Sequence, residues 1–81
     1  MNMNQIIDTL TDILMNNFFE VKYKDNDDDL IEAGMDSIKV INLILIIEDE
    51  FNFEFKDEDL LLENFRTVNC LAKYIFMNTV H

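Results

Sequence analysis

Met3, Ile6, Ile7, Leu10, Ile13 and Leu14 recur at intervals of mostly three and four, with Asn, Asp and Thr between them. That period gathers the apolar side chains on one face and predicts a first helix over residues 3 to 18. The period is lost from Phe19 to Asp36, where Asp25, Asn26, Asp27, Asp28 and Asp29 repel one another and oppose regular structure. A loop this long in a small domain needs anchors, and Leu30, Ile31 and Met35 are the apolar side chains that can pin its end across a core. A second helix is predicted from Asp36 or Ser37, both good N-cap residues, to about Phe51, before the sequence NFEFK breaks the period. Residues 57 to 65, DEDLLLENF, read as a short acidic helix or turn, after which Thr67 caps a last helix with Val68, Leu71, Ala72 and Ile75 on one face. The expectation is an all-α chain of three main helices and one short one, in a single domain over residues 1–81, with no internal repeat.

The second helix is unusual. Ile38, Ile41 and Ile44 or Leu45 follow one another by three or four, but Val40, Leu43, Ile46 and Ile47 fill the neighbouring faces. Its β-branched content would also suit a strand, yet its length and the polar residues at both ends favour a helix. A domain of 81 residues can hardly bury such a helix on all sides, so one apolar face is expected at the surface.

Composition narrows the functions. Hydrophobic residues at 49% and charged ones at 28% are globular values, and zero Pro with one Gly leaves little material for hairpins. Seventeen acids against six Lys and Arg give a formal charge of -11, which repels phosphate backbones and anionic membrane surfaces; neither nucleic acid nor a membrane is an expected partner. Acidity also keeps a half-apolar chain soluble, so it names no partner by itself. Cys70 is the only cysteine, which excludes an internal disulfide and a cysteine-rich zinc site. The start, MNMNQIIDTL, lacks the basic residues and apolar run of a signal peptide, and the run Leu43 to Ile47 is too short to cross a bilayer. A cytoplasmic monomer is expected.

Three kinds of chemistry can be weighed. Ser37 as a hydrolytic nucleophile lacks a base: the single histidine, His81, is the last residue, and no G-x-S-x-G elbow surrounds the serine. Asp25, Asp27, Asp29 and Asp36 fall at the first, third, fifth and twelfth positions of an EF-hand-like loop, but Leu30 stands where the turn needs Gly and the twelfth residue is Asp, not Glu. Cys70 has no cationic neighbour but Lys73, and a packing role is expected of it. Modification suits Ser37 better, since a phosphate ester at the first turn of a helix meets free backbone N–H groups and the positive end of the dipole. Simple capping of the helix would equally place a serine there. Gly34, the only glycine, either takes positive φ or admits a close approach to the backbone, or is a plain turn residue.

From Leu30 to Ile75 the sequence resembles the acyl and peptidyl carrier proteins that bear phosphopantetheine. The resemblance rests on GMDSI for the family's glycine, any residue, Asp-Ser-Leu core, on an apolar helix ending IEDEF, and on FEFKDEDLLLENFRTVNCLAKYI with its acidic segment and Phe-x-Thr-Val start of the last helix. It implies a right-handed four-helix bundle with phosphopantetheine on Ser37. The arm would come from coenzyme A through a magnesium-dependent phosphopantetheinyl transferase, so the serine needs no base of its own. The arm's thiol would hold an acyl or aminoacyl thioester. Asp36 would position the serine or the transferase's metal, Gly34 precedes them in the motif, and Ile38, in place of Leu, keeps an apolar contact with the transferase. The further partners implied are an adenylating or acyl-transferring loading enzyme and a downstream condensing or tailoring enzyme. No catalytic residue and no resident metal are expected.

Lys39 and Asn42 stand where primary fatty-acid carriers tend to be acidic, and Val40, Leu43 and Ile46, with Met35 before them, are expected to offer partners an apolar face. This pattern points to nonribosomal peptide or polyketide-type assembly. A primary fatty-acid carrier, or an unmodified helical adaptor binding through the second helix, remains the alternative.

Overall fold

The computed structural model describes residues 1–79, so His81 lies outside the described residues. Helix α1 (Met3–Asn17) starts on a reciprocal capping pair: the Asn2 side chain accepts from the Gln5 N–H at 2.8 Å, and the Gln5 side chain accepts from the Asn2 N–H at 2.9 Å. It buries Ile6, Leu10, Ile13 and Leu14, the face the period predicts. The chain then leaves the helix with Phe18 and Val21 still in the core.

Helix α2 (Ser37–Phe51) ends at Asn52, whose backbone takes the left-handed conformation at φ 56° and donates to the Glu48 carbonyl. Residues 57 to 65 form two short 3-10 turns, Asp57–Asp59 and Leu62–Phe65, in place of one short helix. Neither turn has a side-chain cap. Helix α3 (Val68–Thr79) starts where Thr67 Oγ1 accepts from the Cys70 N–H at 3.0 Å, and it packs on α1 and on the second 3-10 turn. The described residues contain no strand.

Two links fix the connections to this frame. Phe55 stacks on Tyr74 at 5.1 Å between ring centroids, and the Tyr74 hydroxyl donates to Asp59 at 2.8 Å, which holds the first 3-10 turn against α3. The acidic loop has no regular structure, as expected, but it is tied down along its length. Asp28 accepts from the N–H groups of Lys24 and Asp25, Asn69 reaches Asp27 at 2.6 Å, Leu30 N–H donates to the Arg66 carbonyl at 2.7 Å, and Arg66 pairs with Asp29 at 3.6 Å. Asp27, Asp28 and Asp29 are thus each given a donor, and Leu30 and Met35 anchor the loop in the core.

Candidate functional site

Asp36 and Ser37 compete for one role in the sequence, and the structure assigns it to Asp36. Asp36 has extended backbone and its Oδ1 accepts from the Lys39 N–H at 2.9 Å, the ordinary N-cap geometry. That hydrogen bond, with a smaller contribution from the Lys39 ammonium, holds the Asp36 carboxyl below its usual range. Ser37 is therefore the first helical residue, exposed, and neither its hydroxyl nor its N–H has a protein partner among the described residues. The hydroxyl is left free for chemistry that comes from outside the chain.

Among the described residues no uncommitted base stands beside it. The Asp36 carboxylate is engaged by the Lys39 backbone and ammonium, and the described residues contain no histidine. The loop acids do not gather into a cation site either: no group of three or more potential metal ligands occurs among the described residues.

Gly34 is where the site is built. Its φ of 122° is closed to most L side chains, and a Cβ there would stand 3.3 Å from the Glu20 carbonyl oxygen and 3.6 Å from the Val21 Cα. Lys22 N–H donates to the Ala33 carbonyl at 2.9 Å and Met35 N–H to the Leu30 carbonyl at 2.9 Å, so residues 33–35 lie directly against residues 20–22. Both properties the lone glycine suggests, positive φ and close approach, are present together.

The expected partner face is turned inward. Val40 and Leu43 are buried with Ile47 and Phe51, Met35 lies beneath the start of α2, and Ile46 is half-buried. The cause is helical phase: 40, 43, 47 and 51 form one apolar stripe, whereas 38, 41 and 45 run on to the polar Asp49 and Asn52. The exposed stripe is Ile38 (74% exposed), Ile41 (58%) and Leu45 (59%), starting next to Ser37. Lys39 is half-buried and ion-paired, whereas Asn42 is exposed. Cys70, expected in the packing, is exposed instead, one step off the buried face of α3. An open depression of about 660 Å³ between α1 and the loop, lined by Leu14, Met15, Phe19 and Val21, contains none of residues 34–38.

An exposed primary hydroxyl at the start of a 15-residue helix, with an unpartnered N–H beside it, fits esterification by a phosphate group. The comparisons agree with that chemistry. The sequence model of the phosphopantetheine attachment site matches residues 5–75. The acyl carrier protein of Clostridium perfringens is 40% identical over 48 residues, 59% of this chain and 60% of that protein. The acyl carrier protein of Bdellovibrio bacteriovorus is 40% identical over 44 residues, 54% of each chain. The chain thus aligns with little more than half the length of these relatives. A chain in the crystal structure of Bradyrhizobium japonicum glycine:[carrier protein] ligase complexed with glycylated carrier protein superposes with a TM-score of 0.67 and 30% identity, covering 88% of this chain and 95% of that one. A chain from the same ligase with its cognate carrier protein and an analogue of glycyl adenylate gives a TM-score of 0.69 at 28% identity, covering 94% and 97%.

Proposed function

The chain belongs to the family of phosphopantetheine-dependent carrier proteins, non-catalytic domains with a covalently attached prosthetic group, and from that premise we propose that Ser37 is the attachment residue and that the cargo is an acyl or aminoacyl group. When attached, the group supplies a thiol on a flexible arm, able to hold such a cargo as a thioester. The observation that carries the reading is the division of labour at the start of α2: Asp36 caps the helix, so the Ser37 hydroxyl is exposed and uncommitted. Asp36 also fixes the first turn whose N–H groups and dipole offset a phosphodiester's charge. Gly34 lets the preceding backbone close on residues 20–22 and so sets where α2 begins.

Activation of the hydroxyl then belongs to a phosphopantetheinyl transferase, which meets Ser37 beside Ile38. The loading enzyme and any condensing or tailoring enzyme would dock along Ile38, Ile41 and Leu45, where burial of exposed apolar side chains supplies affinity. An aminoacyl cargo from an adenylating enzyme, as in nonribosomal peptide assembly, is favoured over a primary fatty-acid one. Chains from complexes of a glycine:[carrier protein] ligase superpose on 88% and 94% of this chain, and Asn42 is neutral on the exposed side of α2.

The test is intact mass after incubation with coenzyme A, magnesium and a broad-specificity phosphopantetheinyl transferase. The expected result is a gain equal to the phosphopantetheine moiety in the natural chain and none in Ser37→Ala. A gain that persists in Ser37→Ala would move the attachment elsewhere. No gain from the folded natural chain, with several transferases, would leave an unmodified adaptor docking through the same stripe.

A further inference from the structure

Lys39 is the third residue of α2, and its side chain runs back toward the helix start, as helical side chains do. Its ammonium donates to the Gly34 carbonyl at 3.1 Å and lies 3.6 Å from both Glu20 Oε1 and Asp36 Oδ2. One cation therefore joins three pieces of backbone: the loop after α1, the glycine turn and the cap. It also stands between two carboxylates that would otherwise face each other, and its side chain is only 27% exposed. The rest of the junction is the Lys22 to Ala33 hydrogen bond and the close approach of Gly34 to Glu20.

We infer that Lys39 and Glu20 are positioning residues for the modification of Ser37: their ion pair holds the segment from Gly34 to Ser37 against the loop, so the hydroxyl is presented in one orientation to the transferase. This inference rests on Ser37 being the attachment residue. Lys39→Met removes the tether and sets Glu20 against Asp36 with no cation between them, a repulsion that partial exposure weakens but does not abolish. Lys39→Arg keeps the charge. Glu20→Gln removes one end of the tether, and in the Lys39→Met background it also removes the repulsion.

The experiment measures transferase kcat and KM on the full chain, together with backbone amide exchange at Gly34 to Ile38, for Lys39→Met, Lys39→Arg, Glu20→Gln and the Lys39→Met/Glu20→Gln pair. Circular dichroism confirms that each is folded. The expected result for Lys39→Met is a fall in kcat of about threefold to tenfold at similar KM, with faster exchange at Gly34 to Ile38 by a similar factor. Lys39→Arg stays near the natural chain, Glu20→Gln has a smaller effect, and the double variant recovers part of the Lys39→Met loss. A raised KM with unchanged exchange and no recovery in the double variant would make Lys39 a direct docking contact and overturn the inference. Equal rates and equal exchange in all variants would overturn it too, while the natural chain still gained mass. A natural chain that gains no mass sinks the attachment reading itself and this role with it, and that result is read before any variant is made.

Discussion

Leu43 and Leu45 carry the same side chain two positions apart on one helix, yet one is 0% exposed and the other 59%. Replacing each by Ala in turn tests the assignment of α2's faces directly. At Leu43 the truncation removes methyl and methylene groups from a site enclosed by the core and leaves a cavity, for which ~2–5 kcal/mol is expected. A domain of this length has a total stability on the order of 4–12 kcal/mol, so Leu43→Ala removes a large part of it. In a thermal melt the change corresponds to a drop of ~10 °C or more. At Leu45 the lost atoms already face water and Ala is a good helix former, so the change should stay within about 0.5 kcal/mol. The assay is urea unfolding followed by helical circular dichroism, with m required to stay constant so that midpoints report stability alone. The same two variants separate folding from docking: Leu45→Ala should weaken a loading enzyme's hold on a carrier of natural stability. Equal losses at the two positions, or a larger one at Leu45, would refute the phase of the helix and with it the proposed docking stripe.

Three further outcomes test the site. Ser37→Ala should leave stability within about 0.5 kcal/mol, because Asp36 makes the cap; a loss well above that in the same unfolding assay would make the serine structural. Asp36→Asn should lower Tm by an amount that depends on pH. The Asp36 carboxyl is held below its ordinary 3.8, chiefly by the Lys39 N–H, so its ionised form stabilises the fold fully above the unfolded value, and that stabilisation is lost as pH falls through the depressed folded value. The Tm difference from the natural chain should therefore hold from neutral pH to the upper edge of the carboxylate range and close below it; a difference that persists in strong acid would mean that charge plays no part. Gly34→Ala forces a side chain into φ 122° with its Cβ 3.3 Å from the Glu20 carbonyl oxygen, and ~1–3 kcal/mol is expected in urea unfolding. A cost below about 0.5 kcal/mol would show that the segment relaxes without strain.

The ends of the helices were readable because they depend on local chemistry. The Asn2 cap aside, the first helix falls within one residue of its predicted end, α2 starts and stops where the cap residues and NFEFK place it, and Thr67 receives the N–H it was expected to receive. Which of Asp36 and Ser37 caps was not readable, since both are competent and only the backbone decides. The inner face of α2 was misassigned because nearly every central position is apolar. A signal did exist at the helix's far end: the stripe 40, 43, 47 continues to Phe51, whereas 38, 41, 45 runs on to Asp49 and Asn52. The partners that tie down the acidic loop were hidden for a different reason. Its donors come from Arg66 and Asn69 as well as from its own N–H groups, and no local pattern reports a partner forty residues away.

The charge of -11 and the character of the Ser37 end of α2 then fit together in a way composition alone does not show. Most of the acids lie in the loop, at the far end of α2 and along residues 57 to 63, while Asp36, next to Ser37 in the chain, and Glu20 both pair with Lys39. What an arriving enzyme meets beside the serine is Ile38 and Ile41, with the neutral Asn42 between them and the next turn. Long-range attraction to a basic partner surface can bring the two molecules together, because distant charge acts on the rate of encounter. On the proposed reading a partner's hold beside the serine would come from the isoleucines, because Lys39 is already held by Glu20, Asp36 and the Gly34 carbonyl. On the proposed reading the two tasks would be separate: the acidic body would govern how often partners arrive, and the apolar stripe which of them stay.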